Sequence, residues 1–251
     1  MLARARRLTM RPLRRLLRRA GLALCALPVG LSAPVSADIK SARFAEPTTR
    51  YTHGVLGDAI EYGALKLKLR GGKTITITLP QDRVFEDLEP RLFDVTGDGN
   101  LEAIVVESSQ SGGARLALYN QGGLIAATPH IGQRNRWLAP VGAADMDGDG
   151  QVEIAYIDRP HLAKTLRVWR FENNTLVEVA NSKGLTNHRI GEDFISGGLR
   201  TCDTGPEMIT VDANWQNIVS TRFDGKRLVS RPLGPFNGQA SLRAALACAS
   251  D

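Results

Sequence analysis

The sequence predicts an all-β chain built from a repeated unit of about four strands. Three observations carry that prediction. Four stretches alternate apolar and polar residues on either side of turn residues, the pattern of a β-hairpin. Two acidic loops of one design recur 51 residues apart. Apart from ASLRAALACA near the C-terminus, no segment beyond residue 37 carries a helical period of useful length.

The hairpins come first in the chain of argument. LKLKLRGGKTITITL (65–79) turns at Gly-Gly-Lys, and LALYNQGGLIAAT (116–128) turns at Gln-Gly-Gly. LRVWRFENNTLVEV (166–179) turns at Asn173-Asn174, and IVSTRFDGKRLVS (218–230) at Asp224-Gly225. Their starts lie about 50 residues apart, so one supersecondary unit is repeated four times.

The acidic loops are DVTGDGNLE (94–102) and DMDGDGQVE (145–153). Each has oxygen-bearing side chains at positions 1, 3, 5 and 9 and glycines at 4 and 6. Such alternation lets carboxylates curl around a hard divalent cation, with glycine permitting the sharp turns. The first loop offers Asp94, Thr96, Asp98, Glu102 and the Asn100 carbonyl. The second offers Asp145, Asp147, Asp149, Glu153 and the Gln151 carbonyl, one carboxylate more, which ranks it the tighter calcium site. An EF-hand is excluded, because Val105 and Tyr156 stand where it needs a bidentate Glu, and β-formers follow instead of a helix.

A strand enters the loop, a second leaves it, and a hairpin supplies two more. A four-stranded antiparallel unit of this length has the size of a propeller blade. The expectation is a β-propeller-like array of about four blades with calcium loops in two. The matching stretches of the first and last units, VLGDAIEYGALKL and CDTGPEMITVD, keep only part of the pattern, and no calcium is expected there. Aromatics precede the loops in phase: Phe85, Trp137 and Phe194, read as anchors packing between blades.

Charge depends on where the mature chain starts. Residues 1–19 hold eight arginines and no acid, followed by an apolar stretch and Val35-Ser36-Ala37, the organisation of a secretory signal peptide over 1–37. A mitochondrial presequence is the alternative reading of that arginine-rich start. The chain has 32 basic and 26 acidic residues; without the eight arginines 24 and 26 remain, a balance of −2 over 38–251. Nucleic-acid binding therefore has no compositional support. No transmembrane span is read, the apolar run of the leader being too short. Cys202 and Cys248 remain; they either bridge, tying the tail to the last repeat, or stay as two buried thiols.

DVTGDGNLEAIVV and DMDGDGQVEIAYID resemble the FG-GAP/VCBS repeats of integrin-like β-propellers and of many exported bacterial proteins. The resemblance spans roughly Tyr51 to Val229 and is specific in two repeats. It implies that Asp94, Asp98, Asp145, Asp147 and Asp149 are acidic calcium ligands. Thr96 departs from the family's usual Asp or Asn, and Glu102 and Glu153 stand where Asp is common.

No nucleophile elbow, HExxH or phosphate-cradling loop is present. The histidines read as turn or packing residues. The first functional expectation is an exported, periplasmic or secreted calcium-binding propeller that serves as an interaction module of the cell envelope, for a protein or glycan. The alternatives are a hydrolase or lyase with a channel site using His53, His130 or His188, and a purely structural envelope subunit.

Overall fold

The computed structural model describes residues 38–249; the leader expected over 1–37 lies outside the described residues. The first unit consists of β1 (Ile39–Thr48), β2 (Glu61–Leu69) and β3 (Thr74–Thr78). Next come β4 (Arg83–Phe85) and the meander β5 (Arg91–Phe93), β6 (Glu102–Ser109), β7 (Gly113–Asn120) and β8 (Gly123–Ala127). A second meander is β9 (Leu138–Ala144), β10 (Glu153–Asp158), β11 (Thr165–Glu172) and β12 (Thr175–Lys183). After β13 (Leu185–Thr186), a third contains β14 (Gly198–Cys202), β15 (Gly205–Asp212), β16 (Asn217–Phe223) and β17 (Leu228–Pro235). The helix α1 (Gln239–Leu246) follows.

The chain is thus nearly all β, and every strand pairing is antiparallel. All four hairpins lie where the alternation places them: β2–β3, β7–β8, β11–β12 and β16–β17. The strand count differs from four units of four. The described strands form sheets of eight, four and five. The first unit has three strands, and β4 bridges β2 to β6, fusing it with the next meander.

Side chains of successive residues leave a strand on opposite faces. Along β6, Ala103 and Val105 enter one core with Phe44, Leu65, Leu67 and Phe85, whereas Ile104 and Val106 enter another. That second core also takes Ile154 and Tyr156 of β10, while Ala155 and Ile157 of the same strand face a third with Met208 and Val219. The second strand of each meander is therefore buried on both faces, and the layers stack face to face. The outer face of the last sheet is covered by α1, whose Leu242 and Ala245 pack on Ile209 and Ile218. Helical spacing of Leu242, Ala245 and Leu246 supplies that apolar stripe.

Of the in-phase aromatics, Phe85 and Trp137 are core residues. Phe194 is not: it is 36% exposed and lies in the long connection before β14, outside any strand. Cys202 at the end of β14 is disulfide-bonded to Cys248 beyond α1, with 6.1 Å between the Cα atoms. Among the described residues no helix is long and apolar enough to cross a membrane.

Candidate functional site

The two acidic loops occupy the same place in consecutive meanders, between β5 and β6 and between β9 and β10. They fold alike because the same hydrogen bonds close them. The first-position carboxylate accepts from the fourth- and sixth-position N–H groups: Gly97 at 2.8 Å and Gly99 at 2.9 Å from Asp94, Gly148 at 2.7 Å and Gly150 at 3.0 Å from Asp145. Those glycines have φ between 73° and 88°, a region in which a Cβ is strained. The ninth-position Glu opens the following strand and turns back: Val95 N–H donates to Glu102 at 2.9 Å, and Met146 N–H to Glu153 at 2.8 Å. Burial raises the pKa of both glutamates.

In the second loop Asp145, Asp147 and Asp149 each bring a carboxylate oxygen into one group, all within 4.8 Å of one another. The Gln151 N–H donates to Asp149 at 2.8 Å, a bond that helps hold the Asp149 carboxyl below its ordinary pKa. In the first loop the Asn100 N–H makes the equivalent bond to Asp98 at 2.8 Å. The buried Thr96 hydroxyl, at the third position, has no hydrogen-bond partner. Each loop thus shows one feature of a calcium-type donor set: convergent hard carboxylates in the second, an orphaned oxygen at a ligand position in the first.

Residues 94–156 match the model of the FG-GAP-like repeat. The matched segment contains both acidic loops, the strands β6 to β9 and most of β10. It is narrower than the resemblance read from Tyr51 to Val229, and it falls on the two units with complete loops. No curated protein matches the chain in sequence comparison.

The segment that matches the FG-GAP-like repeat is accompanied by charge that periodicity did not expose. Arg170 on β11 donates to Glu153 at 2.6 Å and to Asp147 at 2.9 Å, and pairs with Asp149 at 2.9 Å. A second acid stands five residues after each ninth-position Glu: Glu107 after Glu102 and Asp158 after Glu153. Glu107 binds Arg83, Arg115 and the Tyr119 hydroxyl, and Asp158 binds Arg159 and Arg167. The same spacing separates Glu207 and Asp212. Glu207 lies beside buried Arg200, whose guanidinium holds its pKa down. This recurrence was available in the sequence as an acid pair at fixed spacing.

Away from the loops, a cavity of about 420 Å³ is lined by His53, Val55, Asn135, Arg136, Trp137, Arg159, His161, Leu162 and Ile190. Its wall comes from four connections, β1–β2, β8–β9, β10–β11 and β13–β14. His53 Nδ1 lies 2.5 Å from buried Glu86, whose backbone carbonyl accepts from the Trp137 indole at 2.9 Å. Behind the wall, His188 Nε2–H donates to the Glu192 carbonyl at 3.0 Å, so its Nδ1 is left to accept from His161 Nε2–H at 3.0 Å. Burial depresses both pKa values, that of His161 to about 4 with His188 adding to the effect. His130 stands elsewhere, with Nδ1 2.7 Å from the Gly113 carbonyl. Of the three histidines singled out for a channel site, His53 lines the cavity and His188 backs it; His161 was overlooked.

Proposed function

We propose that the protein is an exported, calcium-stabilised propeller-like interaction module of the cell envelope. The observation that carries the reading is the pair of acidic loops within the FG-GAP-like match that share their first- and ninth-position hydrogen bonds, each feeding a strand buried on both faces. Asp94, Thr96, Asp98, Glu102 and the Asn100 carbonyl would hold one ion; Asp145, Asp147, Asp149, Glu153 and the Gln151 carbonyl would hold the other. The chemistry supplied is charge neutralisation: a divalent cation offsets the repulsion of clustered carboxylates and fixes the loops that join strands. Face-to-face stacking of the meanders supports blade-like packing, and a protein or glycan is the partner class this reading implies. Cell fractionation with N-terminal mass spectrometry tests export. A periplasmic or secreted chain beginning at Asp38 is the expected product, and an intact leader on a cytoplasmic chain contradicts it.

The pocket favours a second reading, an envelope hydrolase or lyase, because His53 is paired with the buried Glu86 carboxylate as a general base would be. Activity towards ester, phosphate or glycan substrates that disappears in His53→Gln at unchanged melting temperature would establish it. Equal activity in the variant would remove it.

A further inference from the structure

We infer that the cavity between the four connections is a binding site for a small organic oxyanion with an apolar body. This does not rest on the calcium reading, since no loop ligand lines the cavity. The wall carries two guanidinium charges, of Arg136 and Arg159, beside the imidazoles of His53 and His161 and the Asn135 amide, and it presents no carboxylate. Two acids bonded to wall residues already have partners: Glu86 holds His53 and the Ser108 hydroxyl, and Asp158 is bonded by Arg159 and Arg167. The Asp158 contacts use Nε and Nη2 of Arg159, at 2.7 and 3.0 Å, which leaves Nη1 as a donor. Arg136 makes no side-chain hydrogen bond or ion pair among the described residues. A half-buried guanidinium without an anion, beside one with a spare donor, is the arrangement that recognises a carboxylate or phosphate.

The other half of the cavity is apolar. Val55 and Trp137 form its buried part, and Leu162 and Ile190, 60% and 74% exposed, stand at its rim. Two large aliphatic side chains stand exposed beside a concave surface, where a ligand's apolar body would cover them. Their positions are held rather than free. Arg189, next to Ile190, lies over the Trp215 ring at 4.1 Å, and the Leu162 N–H is bonded to the Arg159 carbonyl at 2.8 Å. Asn135 and Arg159 themselves adopt left-handed backbone, φ 61° and 46°, a region uncommon for residues other than glycine. Such conformations concentrate at ligand sites. The volume suits a small ligand rather than a polymer segment.

Calorimetric titration of the purified protein with 4-phenylbutyrate, its neutral amide and phenyl phosphate tests the assignment. At least one anion should bind in the millimolar range or tighter, with the amide about tenfold weaker. Whichever anion binds identifies the oxyanion the site takes. Arg136→Gln should weaken the anion about tenfold and leave the amide unchanged, whereas Leu162→Ser should weaken both. Leu162 is exposed and Arg136 half-buried, and an unchanged melting temperature confirms that each variant folds. Equal binding of acid and amide, absence of binding by either anion, or full affinity in Arg136→Gln would overturn the proposal.

Discussion

Arg170 Nε donates to Glu153 Oε1 across 2.6 Å, placing a guanidinium from β11 inside the second acidic loop. The same side chain reaches Asp147 and Asp149. Counting carboxylates ranks the second loop above the first as a calcium site. Arg170 cancels that advantage, because four acids and one arginine leave the same balance, −3, as the three acids of the first loop. A guanidinium already bonded to the ligands also competes with a cation.

Arg170→Gln should therefore raise the calcium affinity of the second loop. In chelator the variant should melt below wild type, with about 1–3 kcal/mol lost, since three carboxylates lose their shared counter-charge. With calcium the difference should shrink. Melting curves in chelator and in excess calcium check both parts; an unchanged calcium increment would show that Arg170 and the ion do not compete.

Glu61 opens β2 as Glu102 and Glu153 open their strands, but burial and the neighbouring Glu86 push its pKa up to about 9. The folded state thus holds a proton that the unfolded chain releases above about 4.5. Its contribution to stability falls as pH rises from there towards 9. Glu61→Gln should stabilise at neutral pH by about 1–3 kcal/mol and lose that advantage below pH ~4. Denaturant melts at both pH values decide the point, and equal stability of the two proteins at pH 7 would refute it.

His161, half-buried beside His188, has its pKa lowered to about 4 by desolvation. A histidine kept neutral by the fold binds a proton in the unfolded chain first. Stability should decline as pH falls from about 6.5 towards 4. His161→Gln should flatten that decline, as followed by melting temperature against pH. A slope unchanged in the variant would assign the acid sensitivity to other groups.

The Cys202–Cys248 bridge joins residues 46 positions apart and ties α1 to β14. The Cys202→Ser, Cys248→Ser double variant should lose about 2–4 kcal/mol, chiefly through the greater freedom of its unfolded chain. Reduction of the wild type should lower the melting temperature equally. A variant as stable as the oxidised protein would show that α1 docks on Ile209 and Ile218 without the bridge.

Features with local signals were readable in the sequence. Alternation around Gly-Gly, Asn-Asn and Asp-Gly turns located four hairpins, and the loop spacing located the two units that match the FG-GAP-like repeat. The strand β1 escaped because Lys40, Arg43, Glu46 and Pro47 break its alternation. It holds its place by pairing along β2, and as an edge strand it tolerates Pro47. The fusion of the first unit to the second depends on β4, three residues long, which is too short to register as a periodic segment. The pocket was the least legible feature. Its residues come from connections far apart in sequence, and His53 and His161 meet only because the layers stack. His130 looked equivalent in its HIG setting but packs on the Gly112 backbone, where a Cβ would lie 2.9 Å from its own.

Calcium titration by calorimetry on the purified protein, wild type against Asp98→Asn, Asp149→Asn and the double variant, tests the central claim most directly. The account predicts two sites in the wild type, with affinities of roughly 10⁻⁴–10⁻³ M as is common for extracellular modules. One site should remain in each single variant and none in the double, and the melting temperature should rise with occupancy wherever a site remains. No heat from the wild type, with a melting temperature indifferent to calcium, would contradict the account and leave both loops as acidic turns.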